Sequence, residues 1–162
     1  MLAYVLLTRG EQVDRWRLAA FGAGCLLLLA TAVTPLEALS YHLLSMHLLQ
    51  NVILAEWAPA LLVLGIPPSV AERIGRVPPL RLLTRPPVAL GLWLLVYFAW
   101  HLPPSYDAAL EHPVTLLHLE HAMYLGAGAL LWWPVLQDAP QHLSNASRAL
   151  YLFLAFILAS PI

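Results

Sequence analysis

Six of the seven histidines in this 162-residue chain gather toward one side of its apolar segments. His118 and His121 are three residues apart, a spacing that puts both imidazoles on one helix face. His47, Gln50 and Asn51, at spacings of three and four, share a face of an earlier segment in the same way. His101 stands one residue before the end of a third segment. With a 1.5 Å rise per residue, His118 and His121 lie about 6 and 10 Å below Val114, and His47 about 12 Å below Leu39. Three helices therefore offer imidazoles at similar depth. Neutral imidazole is the commonest protein metal ligand and suits copper, zinc, iron and nickel. His42 is five residues from His47 and points elsewhere. Glu120, between the paired histidines and about 100° away from His121, could hold an imidazole tautomer. Glu56 lies nearly opposite His47 on the helical wheel, which suits a proton-binding or interhelical role. A plainer reading makes each histidine an interhelical hydrogen-bonding group, worth about 0.6 kcal/mol. Four from three helices at one depth weigh toward a site, because polar groups in lipid are costly.

The segments that carry these residues belong to a membrane protein. Apolar residues make up 60% of the chain and charged residues 10%, with a mean hydropathy of +0.73. Ordinary soluble domains are roughly 25% charged, and so few charges cannot cover a soluble surface. A net charge of −1 leaves no basic face for nucleic acid. The lone cysteine, Cys25, excludes a disulfide framework. The expected architecture is an all-α polytopic transmembrane bundle in a single membrane domain, with spans over residues 18–34, 39–65, 88–102, 114–133 and 148–162. The third span ends at Pro103-Pro104 and the fourth at Pro134. The fifth is still apolar at Ile162, so a C-terminal truncation is expected. The six prolines of loop 66–87 predict a stiff, extended connector. Gly22-Ala-Gly24 and Gly126-Ala-Gly128 would let helices approach closely. Trp57, Trp93, Trp100, Trp132 and Trp133 fall mostly near helix ends and read as interfacial anchors.

All eight basic residues are arginine. Arg9, Arg15 and Arg17 precede the first span, Arg73, Arg76, Arg81 and Arg85 lie in loop 66–87, and Arg148 precedes the fifth. An alternating path puts them all on one side, which the positive-inside rule makes cytoplasmic. The histidine layer then lies toward the outer face.

Three motifs carry a family resemblance. Ser45–Pro67 (SMHLLQNVILAEWAPALLVLGIP), Trp100–Leu110 (WHLPPSYDAAL) and His118–Leu136 (HLEHAMYLGAGALLWWPVL) together resemble the CtaG-type cytochrome c oxidase assembly factors. The resemblance covers roughly residues 35–162. It implies a multi-helix protein of the bacterial plasma membrane, associated with caa-type oxidases and implicated in supplying them with copper. Matched residue by residue, it assigns His47 and Gln50 to the first motif. His101, Tyr106 and Asp107 fall to the second, and His118, Glu120 and His121 to the third. Where the family shows a second histidine four residues after the first, this chain has Asn51, a poor copper ligand.

The reading these observations favour is a non-enzymatic assembly factor that holds or delivers copper. His47, His101, His118 and His121 would be the ligands; Gln50, Asn51, Glu120, Tyr106, Asp107 and Glu56 would support them. Its partners would be cytochrome c oxidase subunits and the lipid bilayer. Rival readings are a heme-binding membrane protein with two axial histidines and a purely structural interaction protein. A di-iron hydroxylase needs more histidines than this, on the opposite side. No nucleophile–base pair or phosphate loop is present in the sequence.

Overall fold

A computed structural model of the chain describes residues 2–40 and 42–160, and all regular structure among them is helical. We number the helices α1 (Leu2–Leu7), α2 (Arg15–Val33), α3 (Pro35–Ser40), α4 (Leu44–Gly65), α5 (Pro68–Arg76), α6 (Pro78–Leu83), α7 (Pro86–His101), α8 (Pro103–Glu111), α9 (Pro113–Leu136) and α10 (Asn145–Ala159).

Proline sets most of the helix boundaries. Pro35, Pro68, Pro78, Pro86, Pro103 and Pro113 each open a helix, where a missing N–H costs nothing because that donor has no intrahelical partner. The residues before four of them, Pro67, Val77, Arg85 and Leu102, are extended, as the proline ring demands of its predecessor. The expectation of an extended 66–87 connector is thereby corrected: its prolines start α5 and α6 instead. The stretch between Pro103 and Pro113 is likewise helix α8, set at 70° to α7. Pro134 does not stop the fourth span either, since α9 runs through it to Leu136. Helix α10 starts at Asn145, where the Ser144 hydroxyl accepts from the Ser147 amide as an N-cap.

Three helices are long and apolar enough to cross a membrane, α2, α4 and α9, or four if bent α7–α8 is taken as one span. Helix α10, at 15 residues, is a shorter apolar helix, and the expected end of that span at Ile162 lies outside the described residues. Within the predicted span 39–65, α3 ends at Ser40 and α4 begins at Leu44.

Helix α9 packs against both α4 and α7; α2 lies on the far side of α4 and α10 on that of α7. Its buried residues, Glu120, Tyr124, Ala127, Gly128, Leu131 and Trp133, recur at helical spacing toward its two neighbours. Leu131 and Ala127 join Trp93 of α7 and Tyr151 and Ala155 of α10 in one apolar cluster. Trp93 and Trp133 are therefore core residues, 2% and 6% exposed, rather than anchors; Trp57 is exposed. Helix α2 is apolar all round, and Leu26, Leu29 and Val33 stand out from the bundle as lipid-facing side chains would.

Close approach has a specific cause at the α4–α9 crossing. Residues Ile53–Trp57 of α4 wind as a π turn, in which the Ala58 amide donates to the Ile53 carbonyl five residues back. Pro59 follows and cannot donate to the Ala55 carbonyl, and the wider turn takes up the extra residue. Gly128 sits directly on that Ala55 carbonyl and on the Pro59 ring, where a Cβ would collide with backbone. Gly24 plays the same part between α2 and α4, against Leu62 and the Ala58 carbonyl. Gly22 and Gly126 face open space.

Candidate functional site

The first turns of α4 carry His47 and Gln50, each only 3% exposed. Gln50 Nε2 donates to the Thr31 carbonyl at the end of α2, 3.1 Å away, so it secures helix packing and does not turn toward an imidazole. Asn51 Nδ2 donates to His47 Nε2 at 3.1 Å, one turn further along. The bend between α7 and α8 brings Tyr106 back over this point, edge-on to the His47 ring with centroids 5.7 Å apart. Asp107, its neighbour, is exposed.

Helix α9 supplies the next groups. Glu120, 2% exposed, lies beside the Tyr124 hydroxyl and the Asn51 amide. The Tyr124 hydroxyl in turn lies 3.4 Å from His101 Nδ1 of α7. His101 Nδ1 also donates to the Tyr97 carbonyl at 2.8 Å, and its ring lies against the Tyr97 ring. The one Nδ1–H of His101 is shared between the Tyr97 carbonyl and the Tyr124 hydroxyl, and Asn51 Oδ1 has no partner. The sequence His47, Asn51, Glu120, Tyr124, His101 is thus a continuous polar chain across α4, α9 and α7. Inside the bundle such a network is strong only when each member is satisfied.

The remaining histidines differ in setting. His118 is exposed, and its Nδ1 lies 3.0 Å from the Val114 carbonyl. A nitrogen facing a carbonyl carries the proton, which leaves Nε2 of both His101 and His118 with a lone pair. His121 Nε2 is enclosed by protein and has no hydrogen-bond partner. His42 and His112 are exposed. Glu56 lies in the π turn, half-buried and near Tyr97, apart from the network. Among the described residues, no three His, Cys, Asp or Glu side chains converge closely enough to hold a metal ion.

Of the residues expected to act together, the structure joins His47, His101, Asn51 and Glu120, with Tyr106 against His47. It leaves Gln50, Asp107 and Glu56 outside that network. Tyr124 and Tyr97 were not anticipated. Their signal is the four-residue spacing of Glu120 to Tyr124 and of Tyr97 to His101, which stacks each pair on one helix face.

The model of the cytochrome c oxidase caa3 assembly factor family (Caa3_CtaG) matches residues 1–162. Comparisons with curated proteins and with solved structures return no match. Helical membrane architecture, the three ordered motifs and a match over the whole length agree: the chain belongs to the cytochrome c oxidase caa3 assembly factor family.

Proposed function

We propose that this chain takes part in oxidase maturation by handling copper as cargo at the histidine end of its bundle, without itself catalysing a reaction. The family ties it to a cytochrome c oxidase as assembly partner; copper and its ligands are our reading. The observation that carries it is His121, whose enclosed Nε2 has no protein partner. An unpaired buried donor or acceptor costs about 1–3 kcal/mol, so such an atom points to an unassigned ligand. Lone pairs on Nε2 of His101 and His118 add donors that suit copper. His47 is the exception, because Asn51 occupies its Nε2. The donor chemistry fits, while three-fold coordination would require side chains to move together. We place the arginine end in the cytoplasm and the histidine end on the outer side of a bacterial plasma membrane, on the positive-inside rule.

Elemental analysis of the purified chain, after anaerobic exposure to Cu(I), tests this reading. Copper retained by the wild type and lost from the His118→Ala/His121→Ala variant would support it. No retained copper would return the histidines to a structural role. The polar chain across three helices favours that second reading, in which these groups act as interhelical hydrogen bonds. Iron with a Soret band would instead favour heme.

A further inference from the structure

The opposite end of the bundle holds a cavity of about 570 Å³, walled by α5, Arg81 of α6, Arg17 of α2 and the segment after α9. Three arginines, Arg17, Arg76 and Arg81, face two carboxylates, Glu72 and Asp138. Asp138 is already taken up by Arg148 and His142, and Glu72 lies 4.0 Å from Arg76. The Arg81 guanidinium forms no hydrogen bond or ion pair among the described residues, only its backbone amide donating, to Val77. Arg17 Nη1 bridges the Leu64 and Ile66 carbonyls, and its enclosed Nε, without a hydrogen-bond partner, lies 3.9 Å from the Asp14 carboxylate. Arg81 thus leaves the cavity with a guanidinium that no carboxylate balances, and guanidinium matches phosphate in geometry and charge. Leu136, Pro68 and Pro140 give the same cavity an apolar wall.

Its position in the fold selects the ligand. It opens where α4 and α9 end, at one limit of the apolar spans. Helix α5 is amphipathic, burying Val70, Ala71 and Gly75 against the bundle while Ser69, Glu72, Arg73 and Arg76 face outward, so Glu72 and Arg76 stand at the rim of the cavity. Trp16 is half-exposed beside the cavity, with the Arg17 guanidinium 4.4 Å over its ring, as an interfacial anchor would be. We propose that this cavity is a phosphate-binding site that takes the headgroup of an anionic phospholipid. Basic pockets between helices at the membrane surface bind such headgroups.

The test uses the full chain in neutral detergent, titrated with phosphatidylglycerol, phosphatidylcholine or inorganic phosphate and read by native mass spectrometry. Phosphatidylglycerol should be retained in preference to phosphatidylcholine. Each arginine near the surface contributes about five-fold in affinity, so Arg76→Gln/Arg81→Gln should weaken retention about 25-fold. Both side chains are exposed and lie outside the core, and an unchanged circular dichroism spectrum would verify folding. Should the double variant fail that control, Arg81→Glu alone carries the test with the same expected direction. Equal retention of the two lipids, or retention unaffected by the arginine changes, overturns the site. Inorganic phosphate binding alone with the same arginine dependence, and displacing the lipid, overturns the lipid as its source.

Discussion

Asn51 Nδ2 lies 3.1 Å from His47 Nε2 and beside Glu120, so one amide stands between an imidazole of α4 and a carboxyl of α9. An amide offers two hydrogens on one nitrogen, and a neutral histidine at this position could not serve both partners from one atom. The amide at residue 51 thus has a structural consequence. It sits where the polar side chains of α4 and α9 meet.

Replacing that amide tests the network directly. Asn51→Leu should destabilise the protein by about 1–3 kcal/mol, because it strips Glu120 and His47 of a buried partner. Asn51→His should free His47 Nε2 and add a donor, so its copper retention should rise above that of wild type. Thermal melts in detergent measure the first and elemental analysis the second. A neutral outcome for Asn51→Leu would mean that the network contributes nothing to stability.

The two glycines of Gly126-Ala-Gly128 should behave oppositely. Gly128→Ala drives a Cβ into the Ala55 carbonyl and Pro59, rigid groups that can yield only by separating α4 from α9. A loss of about 1–3 kcal/mol is expected. Gly126 has nothing within 4 Å of its would-be Cβ, so Gly126→Ala should gain up to about 1 kcal/mol from helix propensity. The difference between the two melting temperatures is the measurement.

Gln137, 3% exposed, donates from Nε2 to the Val63 carbonyl at 2.7 Å and the Ile66 carbonyl at 3.1 Å. Arg17 and the Tyr4 hydroxyl satisfy Leu64 and Gly65 in the same way. These side chains take the place of the amide donors that the end of α4 lacks. Gln137→Leu should cost about 1–3 kcal/mol by removing two hydrogen bonds of about 0.5–1.5 kcal/mol each, while the Ile66 amide and Arg17 still serve the Val63 and Ile66 carbonyls, with faster hydrogen exchange confined at first to the last turn of α4.

At Asp138, in the connector after α9, the hydrogen bond from His142 comes first in holding the carboxyl below its ordinary value of 3.8, and Arg148 adds to it. A carboxylate whose folded value is depressed stabilises the fold above the unfolded value and loses that contribution as the pH falls through the folded one. Asp138→Asn should therefore melt below wild type at pH 7, and the gap should close in acid below 3.8. The residue is exposed, so the gap at pH 7 will be small. Melting temperatures at pH 7, 5 and 3 decide it.

Much of this protein was determined by local rules that need no tertiary contact. Apolar composition and segment length dictate membrane helices, and six prolines start helices because the ring and missing N–H are tolerated there. The four-residue spacings of His47 to Asn51 and Glu120 to Tyr124 place each pair on one face. Tertiary structure decided the rest. Which of two similar glycines meets a neighbour depends on where α4 and α9 cross, and the π turn before Pro59 sets that crossing. Helix α7 bends by 70° into α8, a turn that returns Tyr106 to His47 and that no local rule predicts. The link from Asn51 to Glu120 joins helices distant in the chain, and periodicity within one helix says nothing about the azimuth at which another meets it.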